Sequence, residues 1–393
     1  MPNVKTLIAL SALLLGAASV GAQPCGGPFD EFLDGIRDEA TRNGHSEQVV
    51  DRFLEHVAHD PNVIRADRAQ GIFQIPFIEF SGRLISQHRL HHGSENARKW
   101  AHVFDRIERE YGVSRGVLLA FWGFETDFGV VQGDFNTVNS LATLAHDCRR
   151  PELFRPQVLA AIELFERGGL DPVNTTGAWA GEIGMVQMLP EDILLNGVDG
   201  DGDGNVDLKG SPEDALVSGA RMLVNLGWRR NQPWMQEVRM PERFDWSETG
   251  FESWKRASDW VAAGVRPRSG RLAAPDLEAA ILLPQGRNGP AFMIYPNFNV
   301  FLEWNKSFVY VITAAHFAMR LEGAPVYDAG EPGTALDESQ VKALQERLEA
   351  RGHDVGGIDG ILGAKTRSAV QEEQVRLGLP ADAWPTLELL DLL

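Results

Sequence analysis

Apolar residues along this chain recur at helical spacing far more often than they alternate. Phe32, Leu33, Ile36 and Ala40 share one face of a first predicted helix, which should stop near Gly44. Val50, Phe53, Leu54 and Val57 mark a second. Trp100, Val103, Phe104, Ile107 and Tyr111 mark a third, closed by Gly112, and Val158, Ile162 and Phe165 another. Residues 215–226 and 309–321 predict two more, the latter buried. One stretch departs from the amphipathic rule. Residues 117–122 are apolar on every face, which places their helix inside a core, with Ser114 as its N-cap. Strand-like alternation is scarce, so the pattern predicts a mainly α body with short irregular segments.

Two breaks in the pattern divide the chain. Residues 324–334 are rich in proline and glycine, carry acidic residues and show no apolar period, as a linker would. Beyond them, Val341, Leu344 and Leu348 make one helix face, ended by Gly352. A glycine-rich turn at 356–363 leads to another helix with Thr366, Ala369 and Val370. This predicts a small terminal unit at 335–393. At the other end, Lys5, an apolar run over 7–20 and the small residues Val20-Gly21-Ala22 read as a cleavable export signal over 1–22. The run is too short for a comfortable membrane span. Gln23-Pro24 before Cys25 argue against a lipoprotein site. The main body is then 23–323, and the mature chain is expected in the periplasm without a transmembrane helix.

Composition narrows the partners. A net charge of −18 opposes binding to nucleic acid or to an anionic membrane surface, and the terminal unit, with eleven acidic against six basic residues, is no polyanion reader. Hydrophobic residues make up 44% of the chain, enough for a sizeable core. Two cysteines, Cys25 and Cys148, remain after export. An isolated pair in an oxidising compartment predicts a bridge, although spacing alone does not set connectivity.

Candidate chemistry sits at the end of the all-apolar helix, in Gly123-Phe124-Glu125-Thr126-Asp127-Phe128-Gly129. A carboxylic acid there loses hydration, which raises its pKa and lets it hold a proton near neutral pH. Cleavage of a glycosidic bond needs such an acid, which makes Glu125 the candidate general acid. Asp127, two residues on, points elsewhere on a helix and reads as structural. A second constellation runs from Asp199 to Asp207. Asp199, Asp201 and Asp203 as side-chain ligands, Asn205 through its carbonyl and Asp207 through water match EF-hand spacing for a structural Ca²⁺. The twelfth position is Gly210 rather than glutamate, so Glu213 or Asp214 would have to substitute, and an acidic turn is the alternative. His88, His91 and His92 lack the His-Glu-x-x-His pattern of a zinc peptidase and read as a solvated polar loop.

With Glu125 placed, the surrounding motif resembles the acid motif of the membrane-bound lytic murein transglycosylase B family. Residues 177–190, Gly-Ala-Trp-Ala-Gly-Glu-Ile-Gly-Met-Val-Gln-Met-Leu-Pro, resemble that family's substrate-groove segment. Asn297-Phe298-Asn299-Val300, Trp304-Asn305-Lys306-Ser307 and Tyr310 resemble its late groove segment. The terminal unit is similar to a peptidoglycan-binding domain. The resemblance implies a lysozyme-like α-rich catalytic domain with a small three-helix binding domain, acting as a monomer on peptidoglycan glycan strands. It implies cleavage of the MurNAc–GlcNAc bond with a 1,6-anhydro product, one glutamate serving as acid and then base, and no catalytic cofactor. Trp179, Gln187, Asn305 and Tyr310 are the candidate sugar contacts, with core packing the alternative for Trp179 and Tyr310.

Three positions depart from the family pattern. Ala178 stands where a small hydroxyl residue is usual, Glu182-Ile183 where Ala-Met is usual, and Glu373 where an aromatic is common. Glu182 is either a second active-site carboxylate, which would favour a muramidase-type hydrolase, or a capping or solvated acid. Ala178 keeps open a non-catalytic wall-binding protein.

Overall fold

Each predicted stripe becomes a helix whose apolar face is buried. In the computed structural model, which describes residues 25–69 and 75–393, the chain opens with α1 (Phe29–Arg42), α2 (Glu47–Leu54) and α3 (Pro61–Arg68). The expected export signal at 1–22 lies outside the described residues. Next come α4 (Phe77–Leu84), α5 (Gln87–Lys99), α6 (Ala101–Tyr111) and α7 (Arg115–Thr126). The short strand β1 (Phe135–Asn136), α8 (Thr137–His146), α9 (Pro151–Glu166) and β2 (Thr176–Gly177) follow, with β1 and β2 antiparallel. Then α10 (Pro190–Asn196) and α11 (Pro212–Asn225) lead into a sheet region. Among the described residues no helix is long and apolar enough to cross a membrane.

The sheet is the main feature that the hydrophobic pattern does not predict. Strands β3 (Met235–Arg239), β4 (Lys255–Arg256), β5 (Arg266–Pro267), β6 (Glu278–Leu282) and β7 (Phe292–Ile294) pair antiparallel in the order β4-β6-β7-β3-β5, with α12 (Ala257–Ala262) between β4 and β5. In β6 and β7, Ala280, Leu282, Phe292 and Ile294 join the main helical core, while Ala279, Ile281 and Met293 pack on a second cluster around Trp260. Burial on both faces turns β6 and β7 into continuous apolar runs, so no period-two signal survives in them.

Helix α7 occupies the centre of the main helical core. Residues 116–123 are all buried, and α14 (Phe308–Leu321) packs along it after α13 (Phe298–Trp304). The N-cap is Ser114, whose hydroxyl accepts from Gly116 N at 3.2 Å. A separate cluster joins α1, α2, α8 and α9, where Cys25 and Cys148 form a disulfide with Cα atoms 5.2 Å apart. The terminal unit has its own small core, built by α15 (Glu338–Glu349), α16 (Ala364–Leu377) and α17 (Leu387–Leu392). Between the two, residues 324–334 have no regular structure but are held down. Arg268 donates to Val326 O at 2.7 Å, and Asp328 N donates to Glu237 Oε1 at 2.7 Å. Glu331 N donates to Asn288 O at 2.8 Å.

Residues 88–92 are not the expected loop but lie inside α5. Its polar surface hides the helical period from a search for apolar stripes, while Ser86 caps it by accepting from Arg89 N at 3.1 Å. His91 and His92 pair with Glu95 one turn away on this exposed face.

Candidate active site

Helix α7 ends abruptly just after Glu125. Asp127 (φ 50°) and Phe128 (φ 61°) both adopt the left-handed conformation, and Asp127 N returns to Gly123 O. Arg89 donates from Nε to Asp127 Oδ1 at 3.2 Å, which fixes this costly turn from α5. Asp127 thus closes the helix, as its position beside Glu125 predicts. Thr126 ties the same helix end to the 177–190 segment, donating to Met185 O at 2.7 Å and accepting from Gly129 N at 3.0 Å.

The Glu125 carboxyl is held through one oxygen. Tyr310 donates its hydroxyl to Oε1 at 2.5 Å, and Trp304 donates Nε1 to the same atom at 3.1 Å. Trp304 is itself stacked on Phe121 with centroids 4.2 Å apart. Among the described residues Oε2 has no hydrogen-bond partner. Burial pushes the Glu125 pKa above the ordinary glutamate value, and the two hydrogen bonds pull partly against it. Tyr310, buried beside this acid, is raised well above the usual tyrosine range and stays a donor. The side chain is half-buried, with dense protein around it. Such a carboxyl holds a proton and presents one oxygen for transfer.

Glu182 comes to the same place from the groove segment. Burial lifts its carboxyl to about 7, the nearby charge of Glu125 pushes in the same direction, and Arg150 opposes it. Backbone N–H groups of Glu182 and Ala180 reach the carboxyl, while among the described residues its Oε2 is buried without a hydrogen-bond partner. The backbone that places it is tight: Ala178 N donates to Glu182 O at 2.9 Å, and a Cβ on Gly177 would meet that oxygen at 1.9 Å. Ala178 offers no hydroxyl to either acid.

The other candidates are partly occupied by their own loops. Gln187, with φ 53°, gives its amide nitrogen to Gly184 O at 2.7 Å. Asn305 accepts from Ser307 N at 2.8 Å through Oδ1. Trp179 is half-buried against the α1–α9 cluster. Trp304 is the contact that sequence reasoning missed as a site residue. It lies within the late groove motif, yet no pattern says that an indole N–H will reach back to α7. A cavity of about 730 Å³ lined by Ser114, Trp228, Gln232, Trp234 and Glu322 sits at the other end of α7. It is separated from Glu125 by roughly the helix length of about 17 Å, and so is not this site.

The acidic loop gathers three of its five candidates. Asp199, Asp201 and Asp203 each bring a carboxylate oxygen within 4.8 Å of the others. Asp207 instead accepts from Lys209 N and Gly210 N, and Asn205 N donates to Asp203. Asp214 is not a substitute ligand. Buried, it accepts from Gly200 N, Asp201 N and Asp207 N and so folds the loop, while Glu213 meets His102 at 2.8 Å. Three clustered hard oxygen donors fit Ca²⁺ in chemistry, and without the glutamate they fit it incompletely.

With this geometry in view, comparison with known proteins is decisive. The model of the transglycosylase SLT domain matches residues 28–319. The chain belongs to the SLT transglycosylase family. A putative peptidoglycan-binding domain matches 337–393. Membrane-bound lytic murein transglycosylase B of Escherichia coli K12 is 25% identical over 244 residues, spanning 62% of this chain and 64% of that protein. SltB3 of Pseudomonas aeruginosa, solved with NAG-anhNAM-pentapeptide, is 36% identical with a TM-score of 0.85, covering 93% of this chain and 99% of that one. Slt35 of Escherichia coli, solved with calcium, shares the fold at 23% identity and a TM-score of 0.63, over 76% of this chain and 96% of that one.

Proposed function

We propose that this family member is a peptidoglycan lytic transglycosylase in which Glu125 is both acid and base. The observation that carries the assignment is a desolvated carboxyl anchored through Oε1 alone. In the first step protonated Glu125 gives its proton to the oxygen bridging MurNAc and GlcNAc, and the bond from that oxygen to the MurNAc anomeric carbon breaks. In the second, the carboxylate takes the proton of the same MurNAc's C6 hydroxyl as that oxygen attacks the anomeric carbon. The products are a 1,6-anhydro-MurNAc end and a GlcNAc bearing a free 4-hydroxyl, with the proton back on Glu125 and no water consumed. Tyr310 and Trp304 hold the carboxyl in place and favour its ionised form midway through the cycle. Trp179, Gln187 and Asn305 line the glycan path, and the 335–393 unit grips the wall. The protein works as an exported, periplasmic monomer, and Ca²⁺ held at Asp199, Asp201 and Asp203 stiffens the loop behind the groove.

Digestion of purified sacculi with wild type and Glu125→Gln, followed by mass spectrometry of product ends, tests the assignment. The expected result is anhydro ends from wild type and no release from the variant. The nearby buried Glu182 carboxyl favours one second reading, a hydrolase with two carboxyls. Hydrated reducing ends would establish that reading and reject the first. Release unchanged in Glu125→Gln would reject both.

A further inference from the structure

A charged side chain of the C-terminal unit is buried against the catalytic domain, and its placement bears on the acid. Arg367 on α16 is only 7% exposed. Its guanidinium donates to Pro284 O and, at 3.5 Å, to Leu283 O, lies 4.6 Å over the Phe308 ring and 5.5 Å from that of Trp384. Among the described residues no carboxylate is hydrogen-bonded to it: Asp382 acts on it only through its charge and is itself engaged by Arg287 at 3.2 Å, and Arg367 Nε has no partner. Burying a cation in this way is expensive, and an apolar residue of similar size would attach a module at lower cost. Attachment is also secured elsewhere. Gln371, one turn further along α16, donates to Thr249 O at 2.8 Å and Trp246 O at 3.2 Å.

What Arg367 holds is the first residue of α14. Phe308 begins that helix, Ser307 caps it, and two residues on stands Tyr310, whose hydroxyl lies 2.5 Å from Glu125. Phe251 also packs on Phe308, edge-on at 5.6 Å. Displacing the first turn of α14 would move Tyr310 off the acid, and misplacement on the order of 1 Å costs about a hundredfold in rate.

We propose that Arg367 is a positioning residue for catalysis, clamping Phe308 from the wall-binding module and thereby fixing Tyr310 against Glu125. The docked module is then part of the catalytic scaffold as well as an anchor. This rests on Glu125 being the acid, which the Glu125→Gln digest tests separately.

The test uses full-length protein and a short soluble GlcNAc–MurNAc oligomer, whose turnover does not depend on gripping a sacculus. Arg367→Met is expected to lower kcat at least about tenfold with KM within about twofold. The alkaline limb of kcat/KM should move to higher pH, because Tyr310's bond lowers the Glu125 pKa while burial, Glu182 and Arg89 around the pair are unchanged. Sacculus pull-down should stay at wild-type level, and Arg367→Lys should recover part of kcat. Phe308→Leu should reproduce the loss, with the double variant no worse than either single one. Gln371→Ala, which removes one tie of the module while leaving Arg367 seated on Phe308, should keep kcat. Wild-type kcat and pH limb in both Arg367→Met and Phe308→Leu would overturn the proposal. So would an equal loss in Gln371→Ala.

Discussion

A carboxyl anchored through one oxygen makes its anchor a regulator of its pKa. Tyr310→Phe removes the shorter of the two bonds that stabilise the Glu125 carboxylate, so the acid should hold its proton to higher pH. Turnover below that pKa is expected to fall about ten- to a hundredfold as positioning is lost, while the alkaline limb of kcat/KM moves up. A limb unmoved in Tyr310→Phe would show that the bond plays no part in tuning. Glu182, also raised by burial, gives a stability signature. Its native carboxyl titrates at about 7 against an ordinary value of 4.5, so between those two pH values the native state holds a proton that the unfolded chain has released. Stability from this group therefore falls as pH rises through that window. Glu182→Gln should gain melting temperature relative to wild type at pH 8 and gain little at pH 4. Equal gains at both would mean that the carboxyl is not desolvated. The burial of Glu125 could be read from residues 117–122, whose uniform apolarity leaves no wet face. That Gln187 and Asn305 spend donors and acceptors on their own turns could not, because a side chain's competing backbone partners are set only when the loop closes.

At the scale of elements, legibility followed amphipathicity. Helices α1, α2, α6, α9 and α14 carry stripes that need covering, and their apolar residues are the ones buried. Helix α5 and the five-stranded sheet were hidden for opposite reasons. The first has too few apolar residues to show a period, whereas strands β6 and β7 have too many, being buried on both faces, and β4 and β5 are only two residues long. The acidic loop lies between these cases. Its spacing was readable, but the backbone-capping role of Asp214, seven residues beyond Asp207, was not. Three carboxylates with oxygens within 4.8 Å repel one another, and a divalent cation would relieve this. A chelator is expected to lower the melting temperature and added Ca²⁺ to restore it. Identical melting curves in the two conditions would remove the metal from the proposal.

For the whole molecule, two ties hold distant segments together. The Cys25–Cys148 bridge closes a loop of 123 residues around α1 to α8, and a chain-entropy model puts its value at no more than about 4–5 kcal/mol. Replacing both cysteines by serine should lower the melting temperature while leaving the product ends unchanged. A change in the product ends would mean that the bridge also shapes the groove. The second tie is the segment 324–334, whose proline, glycine and acidic residues read as a free linker. In composition it is one. What sequence could not show is that the Tyr327 ring packs tilted against Phe77 and its hydroxyl shares a hydrogen bond with Ser81 at 2.7 Å, or that Glu237 waits for Asp328 N. A leash so stitched down no longer measures the distance between the parts it joins. Adding residues to it would raise a bulge on the surface and leave the span from gripping unit to cutting site where it was.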